Sequence, residues 1–361
     1  MNRFRLATLF VPLLAATWLV PLFVQTLSAQ QAQWEALNQR LLDLYNNGRY
    51  QEALPVAKEA LAIAETTFGP NHFNVAGNLN SLAEIYRVTG RYQEAKPLFQ
   101  RALKVAEASM GAENTLVAAV LNNMGEMERV QGNFGVAEPL YRRAIQLRED
   151  ILGPDHPDVA QALNNLALLY AAQNKFEDAE PLYQRALTSY QTAYGEQHVM
   201  VALTLSNLAE MYRSANKFAQ AQPMFEKALS INEKLFGPQH PSVAANRNNL
   251  ALLYAAQNKP KDAEKNFLAA LAIREKAFGG ESAATGTTLT NLATFYQDQG
   301  RYAEAELYWR RVLQIAEKVY GQDNPQLAGP LESLTAVYTK LGKDQEAAAA
   351  AERASKLSAD R

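Results

Sequence analysis

The sequence contains no cysteine, which excludes disulfides, thiolate metal ligands, cysteine nucleophiles and lipid attachment at an N-terminal cysteine. Histidine is almost as scarce, with four in 361 residues, so imidazole chemistry has few places to reside. Neither sign of charge is in excess. Thirty-five Lys and Arg stand against 37 Asp and Glu, a formal charge of −2. That balance gives no electrostatic footprint for nucleic acid or for an anionic membrane surface. No glycine-rich phosphate loop, G-x-S-x-G elbow or H-E-x-x-H pair occurs. Long apolar runs are also rare, and the one from Leu6 to Val24 follows the short positive segment Asn2-Arg3-Phe4-Arg5 and precedes Leu27-Ser28-Ala29. This pattern predicts an export signal over 1–29, cut near Ala29 or Gln30 and set aside from fold reasoning. An uncleaved anchor is the alternative, since the run sits at the lower edge of a membrane span. Either reading puts the body of the protein outside the cytoplasm, in a bacterial periplasm or secreted, or else held at the inner membrane with the rest outside.

What the chain has in abundance is itself. The stretch NNLALLYAAQNK at 164–175 returns letter for letter at 248–259, a separation of 84 residues, or two steps of 42. An alanine marks every step: Ala53, Ala95, Ala137, Ala179, Ala221, Ala263, Ala305 and Ala347, with no insertion or deletion between them. A period of this size means a solenoid, propeller or array. Eight such units fill residues 33–355, leaving 356–361 as a short tail and no room for a second domain.

Within a unit, Leu163, Leu166, Ala167, Leu169 and Tyr170 fall at i, i+3, i+4 and i+7, the buried face of an amphipathic helix, here helix A. After the turn Asn174-Lys175, a second helix B carries Ala179, Leu182, Tyr183 and Ala186. Its aromatic column reads Phe99, Tyr141, Tyr183, Phe225, Phe267 and Trp309, and its small column Ala60, Ala102, Ala144, Ala186, Ala228, Ala270, Val312 and Ala354. Small residues admit close approach while large ones fill the space between units. Gly69, Gly111, Gly153, Gly195, Gly237, Gly279 and Gly321 close helix B, as expected of a left-handed C-terminal cap. Loops of a few residues make successive helices antiparallel.

These columns resemble the tetratricopeptide repeat signature. With the wording NNLALLY, DAEPLYQRAL at 178–187 and FGPQHP at 236–241, the chain looks like the longer kinesin light chain variety of that repeat. The resemblance implies an all-α, right-handed superhelical solenoid of eight helix-turn-helix repeats after an N-terminal signal segment. Departures fall at Ala57 in the aromatic column, at the alanine run 347–351 of repeat 8, at Arg247 in a leucine column and at Glu128 in the tyrosine column. Gly286, with Gly279 and Gly280, marks repeat 7 as the expected place for loosened stacking.

Residues with chemistry follow the same period. His72, His156, His198 and His240 share a column with Asn114, Ser282 and Asn324. One histidine per unit cannot gather around a metal, whereas Asn and Ser are preferred helix N-caps, so the column reads as the cap of helix A. Catalytic residues, cofactor sites and metal sites are therefore not expected. A polar stripe is the candidate site: Asn80, Glu84 and Arg87 in repeat 2, Asn122, Glu126 and Arg129 in repeat 3, Ser206, Glu210 and Arg213 in repeat 5, with Asn164 and Asn248 in the units that otherwise show leucine and alanine. In tetratricopeptide proteins this side of helix A lines a concave groove, so the resemblance implies an asparagine ladder for the backbone of a protein or extended peptide. The alternative is a solvated face of Glu–Arg pairs worth only tenths of a kcal/mol each. The adjacent column, from Asn123 to Asn291, lies nearer the buried face and is expected to bond to the neighbouring unit. The function this implies is a non-enzymatic peptide-binding scaffold outside the cytoplasm. Its rival is a structural spacer or self-associating component of the cell envelope. No nucleic acid is expected as partner, and a membrane only through an uncleaved N-terminal segment.

Overall fold

The computed structural model describes residues 19–359, with side chains from 28 to 358. Residues 1–18 of the expected signal lie outside them. The first helix, α1 (Leu19–Asn46), runs through Ala29 without interruption into the first repeat. Among the described residues no helix is long and apolar enough to cross a membrane.

The chain divides into two compact units, 1–169 and 170–361. Unit 1 holds α1, α2 (Tyr50–Phe68), α3 (Phe73–Val88), α4 (Tyr92–Met110), α5 (Thr115–Val130), α6 (Phe134–Leu152) and most of α7 (Pro157–Ala172). Unit 2 continues with α8 (Phe176–Tyr194), α9 (Val199–Ser214), α10 (Phe218–Phe236), α11 (Pro241–Ala256), α12 (Pro260–Phe278), α13 (Ala283–Asp298), α14 (Tyr302–Tyr320), α15 (Ala328–Lys340) and α16 (Asp344–Ala359). From α1 to α6 in unit 1, and from α8 to α16 in unit 2, each helix packs on the one that follows it. Helices α3 to α14 alternate between 16 and 19 residues, so the 42-residue period is kept in the geometry as well as in the letters.

Packing follows the predicted columns. The marker alanines from Ala53 to Ala305 and the aromatics Phe99, Tyr141, Tyr183, Phe225 and Phe267 are fully buried, and Trp309 nearly so. Burying each aromatic contributes about 1.5–3 kcal/mol. Prolines at 55, 97, 139, 181 and 223 fall early in the even helices, which remain continuous for 19 residues.

The interruptions in the columns are compensated locally. In unit 2 Tyr212 and Tyr296 of helix A each take part in a triad with the preceding repeat. Tyr212 donates to Glu180 at 2.8 Å while Lys217 lies over the Tyr212 ring, and Tyr296 donates to Glu264 at 2.8 Å while Arg301 lies over its ring. Where Glu128 replaces the tyrosine in unit 1, all three partners change together. Lys96 stands at the glutamate position, 3.0 Å from Glu128, and Asn133 at the cation position, donating to it at 2.7 Å. Arg247 in the leucine column likewise pairs with Glu233 at 2.7 Å.

The caps of helix A are as expected in the main. Nδ1 of His72, His156, His198 and His240 accepts the N–H two residues on, at 3.1–3.2 Å. Asn114 and Asn324 do the same work with their side-chain oxygens. Ser282 makes no such bond, and α13 starts without a side-chain cap; nearby, the Thr285 hydroxyl donates to the Gly279 carbonyl.

Two expectations are corrected. The glycines closing helix B have φ of 80–89° but ψ of 154–171°. That is the mirror-extended region rather than a left-handed helical cap, and it is essentially closed to residues with a Cβ. The left-handed positions lie instead in the turn from A to B, where Asn174, Asn216 and Asn258 stand at φ 56–58° in place of glycine. The expected tail is also part of the fold: α16 runs to Ala359, and Leu357 is buried with Leu327 and Leu331. In repeat 8 the start of helix A tightens into a 3-10 turn, Pro325–Leu327, because Pro330 has no N–H to donate back to Gln326. Repeat 7 carries a cavity of about 350 Å³ beside Gly286, between α13 and α14.

Candidate functional site

Helix A presents the stripe because Asn80, Glu84 and Arg87 fall within two turns on the side away from Leu79 and Leu82. In unit 1 the charges of this stripe are joined into one chain. Arg87 makes a two-pronged contact with Glu84, at 2.7 and 2.6 Å, and reaches Glu126 of the next repeat at 4.0 Å. Arg129 grips Glu126 in the same way at 2.8 and 2.7 Å. Two tyrosines complete the shell, Tyr45 donating to Glu84 and Tyr141 to Glu126, both at 2.8 Å. Gly125 makes the second contact possible: a Cβ there would stand 3.0 Å from the Tyr141 ring.

The electrostatics follow from that shell. Burial opposes the charge of Arg87, yet the hydrogen bonds and charge of Glu84 outweigh it and hold the guanidinium above its ordinary value. Burial alone would raise the Glu126 carboxyl; Arg129, with Tyr141 and Arg87, leaves it below the usual range. Tyr45 and Tyr141 are pushed well above a free phenol by burial, then by the carboxylates they donate to. These shifts favour the charged forms of Arg87 and Glu126 and the neutral forms of Tyr45 and Tyr141.

The asparagines sit differently from the sequence expectation. Asn122, Asn164 and Asn248 are only 5–7 % exposed. The oxygen of Asn122 accepts from Asn165 at 3.0 Å and that of Asn248 from Asn291 at 3.1 Å, while Asn123 donates to Asn80 at 3.2 Å. The adjacent column does bond across the repeats, as expected, but what it bonds to is the supposed ladder. Only Asn80 keeps appreciable exposure. Ser206 is buried too, donating to the Ala202 carbonyl and accepting from Asn246. Glu210 and Arg213 form a pair at 2.8 and 2.5 Å, beside a hollow of about 330 Å³ in unit 2 that Leu252, Ala255 and Phe295 help to line.

Unit 1 has a better-formed hollow, of about 440 Å³, within the range of ligand pockets. Every residue lining it comes from an A helix. Asn38, Leu42 and Tyr45 of α1 meet Asn80 and Glu84 of α3, and Gln161 of α7 closes it. The first three are the repeat 1 members of the stripe, one period before Asn80, Glu84 and Arg87. Extending the columns upstream by 42 residues would have found them. Gln161 left no such signal, because its column is mixed, with Glu35, Gly77, Ala119, Leu203, Ala245, Thr287 and Gly329 at the other steps. Among the described residues no group of three or more His, Asp or Glu side chains gathers in a way that could hold a metal.

The comparisons agree with this architecture. The tetratricopeptide repeat profile matches residues 35–114, 116–192, 158–234, 200–276 and 284–360, and a second profile of the same description matches 80–150. No curated protein matches the chain. Among solved structures, BtubC (BKLC) from P. vanneervenii is 23 % identical over 70 % of this chain and 93 % of its own, with a TM-score of 0.51. A Rap protein complexed with Competence and Sporulation Factor is 15 % identical over 93 % of this chain and 98 % of its own, at 0.56. Aspartyl phosphate phosphatase F from Bacillus subtilis is 14 % identical over 92 % and 83 %, at 0.57. At these identities the likeness is one of fold.

Proposed function

Because the chain belongs to the tetratricopeptide repeat family, we propose that it is a scaffold that holds an extended segment of a protein partner along its A-helix face and performs no catalysis of its own. The family's repeats serve protein–protein interaction. The observation that carries the finer reading is the unit 1 hollow, lined by A helices alone and edged by the stripe residues Asn80 and Glu84. The Rap protein of this fold was solved with Competence and Sporulation Factor bound, which is consistent with such use. The stripe residues Glu84, Arg87, Glu126 and Arg129 form a polar floor within unit 1, and Glu210 and Arg213 form a pair of their own in unit 2. Asn122, Ser206 and Asn248 act from within the wall, each bonded to the next repeat, and Asn164 is buried like them. We place the scaffold outside the cytoplasm, on the strength of the charged and apolar pattern of residues 2–29.

A photoreactive phenylalanine analogue placed at Leu42 or at Ser81, in the living source cell, tests the reading against the same analogue at Gln100, which is exposed on α4. The expected result is a discrete adduct with another protein from the first two positions and none from the third. Adducts only between copies of this chain would favour the spacer and end the scaffold reading.

A further inference from the structure

Resting on that reading, we infer the class of partner the unit 1 hollow selects: an uncharged peptide segment, gripped by its main-chain carbonyls, with an aliphatic side chain laid against Leu41, Leu42 and Ile85.

The charges of the hollow are already spent. Glu84 is the one charged residue among those lining it. One of its oxygens accepts from both Tyr45 and Arg87, at 2.8 and 2.6 Å, and the other from Arg87 at 2.7 Å. A charged ligand would lose hydration on entering and find no unpaired opposite charge in return. The hollow therefore discriminates against both signs.

The side-chain amides that remain open offer donors. The oxygen of Asn80 is occupied by Asn123 at 3.2 Å and that of Gln161 by Arg148 at 3.3 Å, while the NH2 group of each has no partner. Asn38, by contrast, is engaged at both ends of its amide, donating to the Trp34 carbonyl and accepting from Asn78. Two unspent amide donors on opposite walls, Asn80 on α3 and Gln161 on α7, suit two acceptors spaced along a chain. Main-chain carbonyls supply acceptors whatever the side chains are. The apolar part is Leu42, 52 % exposed where repeats 2, 3 and 5 carry glutamate, with Leu41 and Ile85 behind it.

The test uses the full chain and an array of short synthetic peptides of one length in three classes: neutral with a single Leu, Ile or Val, the same with two aspartates, and the same with two lysines. Neutral peptides are expected to bind, with affinity changing less than about twofold from low to high salt, since no exposed charge pair is there to be screened. Leu42→Asp and Asn80→Asp should each weaken binding about tenfold or more, the loss expected where a buried contact or donor is removed. Leu307→Asp, at a 58 % exposed site in unit 2, should leave it unchanged. Both unit 1 variants should keep native circular dichroism, because Leu42 is largely exposed and an aspartate at 80 retains the oxygen that Asn123 uses. Preference for either charged class, a steep salt dependence, or full binding by Leu42→Asp would overturn the assignment. Capture of a charged class that Leu42→Asp abolishes overturns only the partner class and leaves the scaffold standing. Failure to bind any of the three classes overturns both.

Discussion

At the scale of the residue, the two turns of each repeat differ by one dihedral angle, and the sequence records it. Both need positive φ. The A-to-B turn accepts asparagine in three repeats because that residue tolerates the left-handed region. The B-to-A turn has glycine in all seven instances because ψ near 160° is open to glycine alone. Gly237→Ala should therefore cost about 1–3 kcal/mol, whereas Asn216→Gly should change stability by only a few tenths; urea titration of the two variants reads the difference directly. Gly286 is a glycine of another kind. It lies inside α13 with ordinary φ, and a Cβ there would meet Ile315 at a comfortable 3.7 Å, beside a cavity. Gly286→Ala is expected to stabilise by about 0.5–1 kcal/mol through helix propensity, seen as a higher melting temperature. A lower one would mean that repeat 7 needs its slack.

At the scale of the element, caps and ion pairs decide how firmly each helix A is set. His240 caps α11 through Nδ1 and stacks on Phe236 with ring centroids 4.5 Å apart. His240→Ala should cost about 0.5–2 kcal/mol, and His240→Asn should recover most of it, as Asn114 and Asn324 already cap their own helices; melting curves of the pair settle the point. Glu126 links α5 to α6 and to α3, and its carboxyl is held below the usual range in the fold. A depressed folded value gives stability that is fully present above the unfolded carboxyl pKa, about 4.3, and is lost as pH falls through the lower folded value. Unfolding free energies measured from neutral down to about pH 3 should thus decline on the acid side, and Glu126→Gln should flatten that decline. An identical acid limb in the variant would show that the carboxylate does not carry it. The elements themselves are legible from sequence, since burial repeats with the helix and one column of Ala179 or Tyr183 predicts eight. The asparagines are less legible. Asn122 and Asn123 are neighbours on the rim of the buried face, where about 100° of rotation separates wall from solvent, and periodicity does not resolve which bonds inward. Repeat 1 hides its part in the site for a different reason: Leu42 and Tyr45 differ in kind from Glu84 and Arg87, so only position reveals the kinship.

At the scale of the whole molecule, stability in an array is a sum of repeats and nearest-neighbour interfaces. The side-chain links between A helices, such as Asn165 to Asn122 or Asn291 to Asn248, reach one repeat and no further. A chain lacking residues 176–259, so that α7 is followed by α12, keeps every column in phase, because the segments at the junction are letter-for-letter alike. Such a chain is expected to retain helix content per residue and a cooperative urea transition, with a slope reduced in proportion to the surface it no longer buries. Loss of helix would show that the removed repeats contribute more than their own interfaces.

The same junction has a bearing on ancestry. Two matching tracts an even number of strides apart are a ready site for unequal crossing-over, and descendants would differ by whole repeat pairs with no seam at the joint. The span of partner such a protein can hold is then a quantity inheritance can lengthen or shorten in a single event.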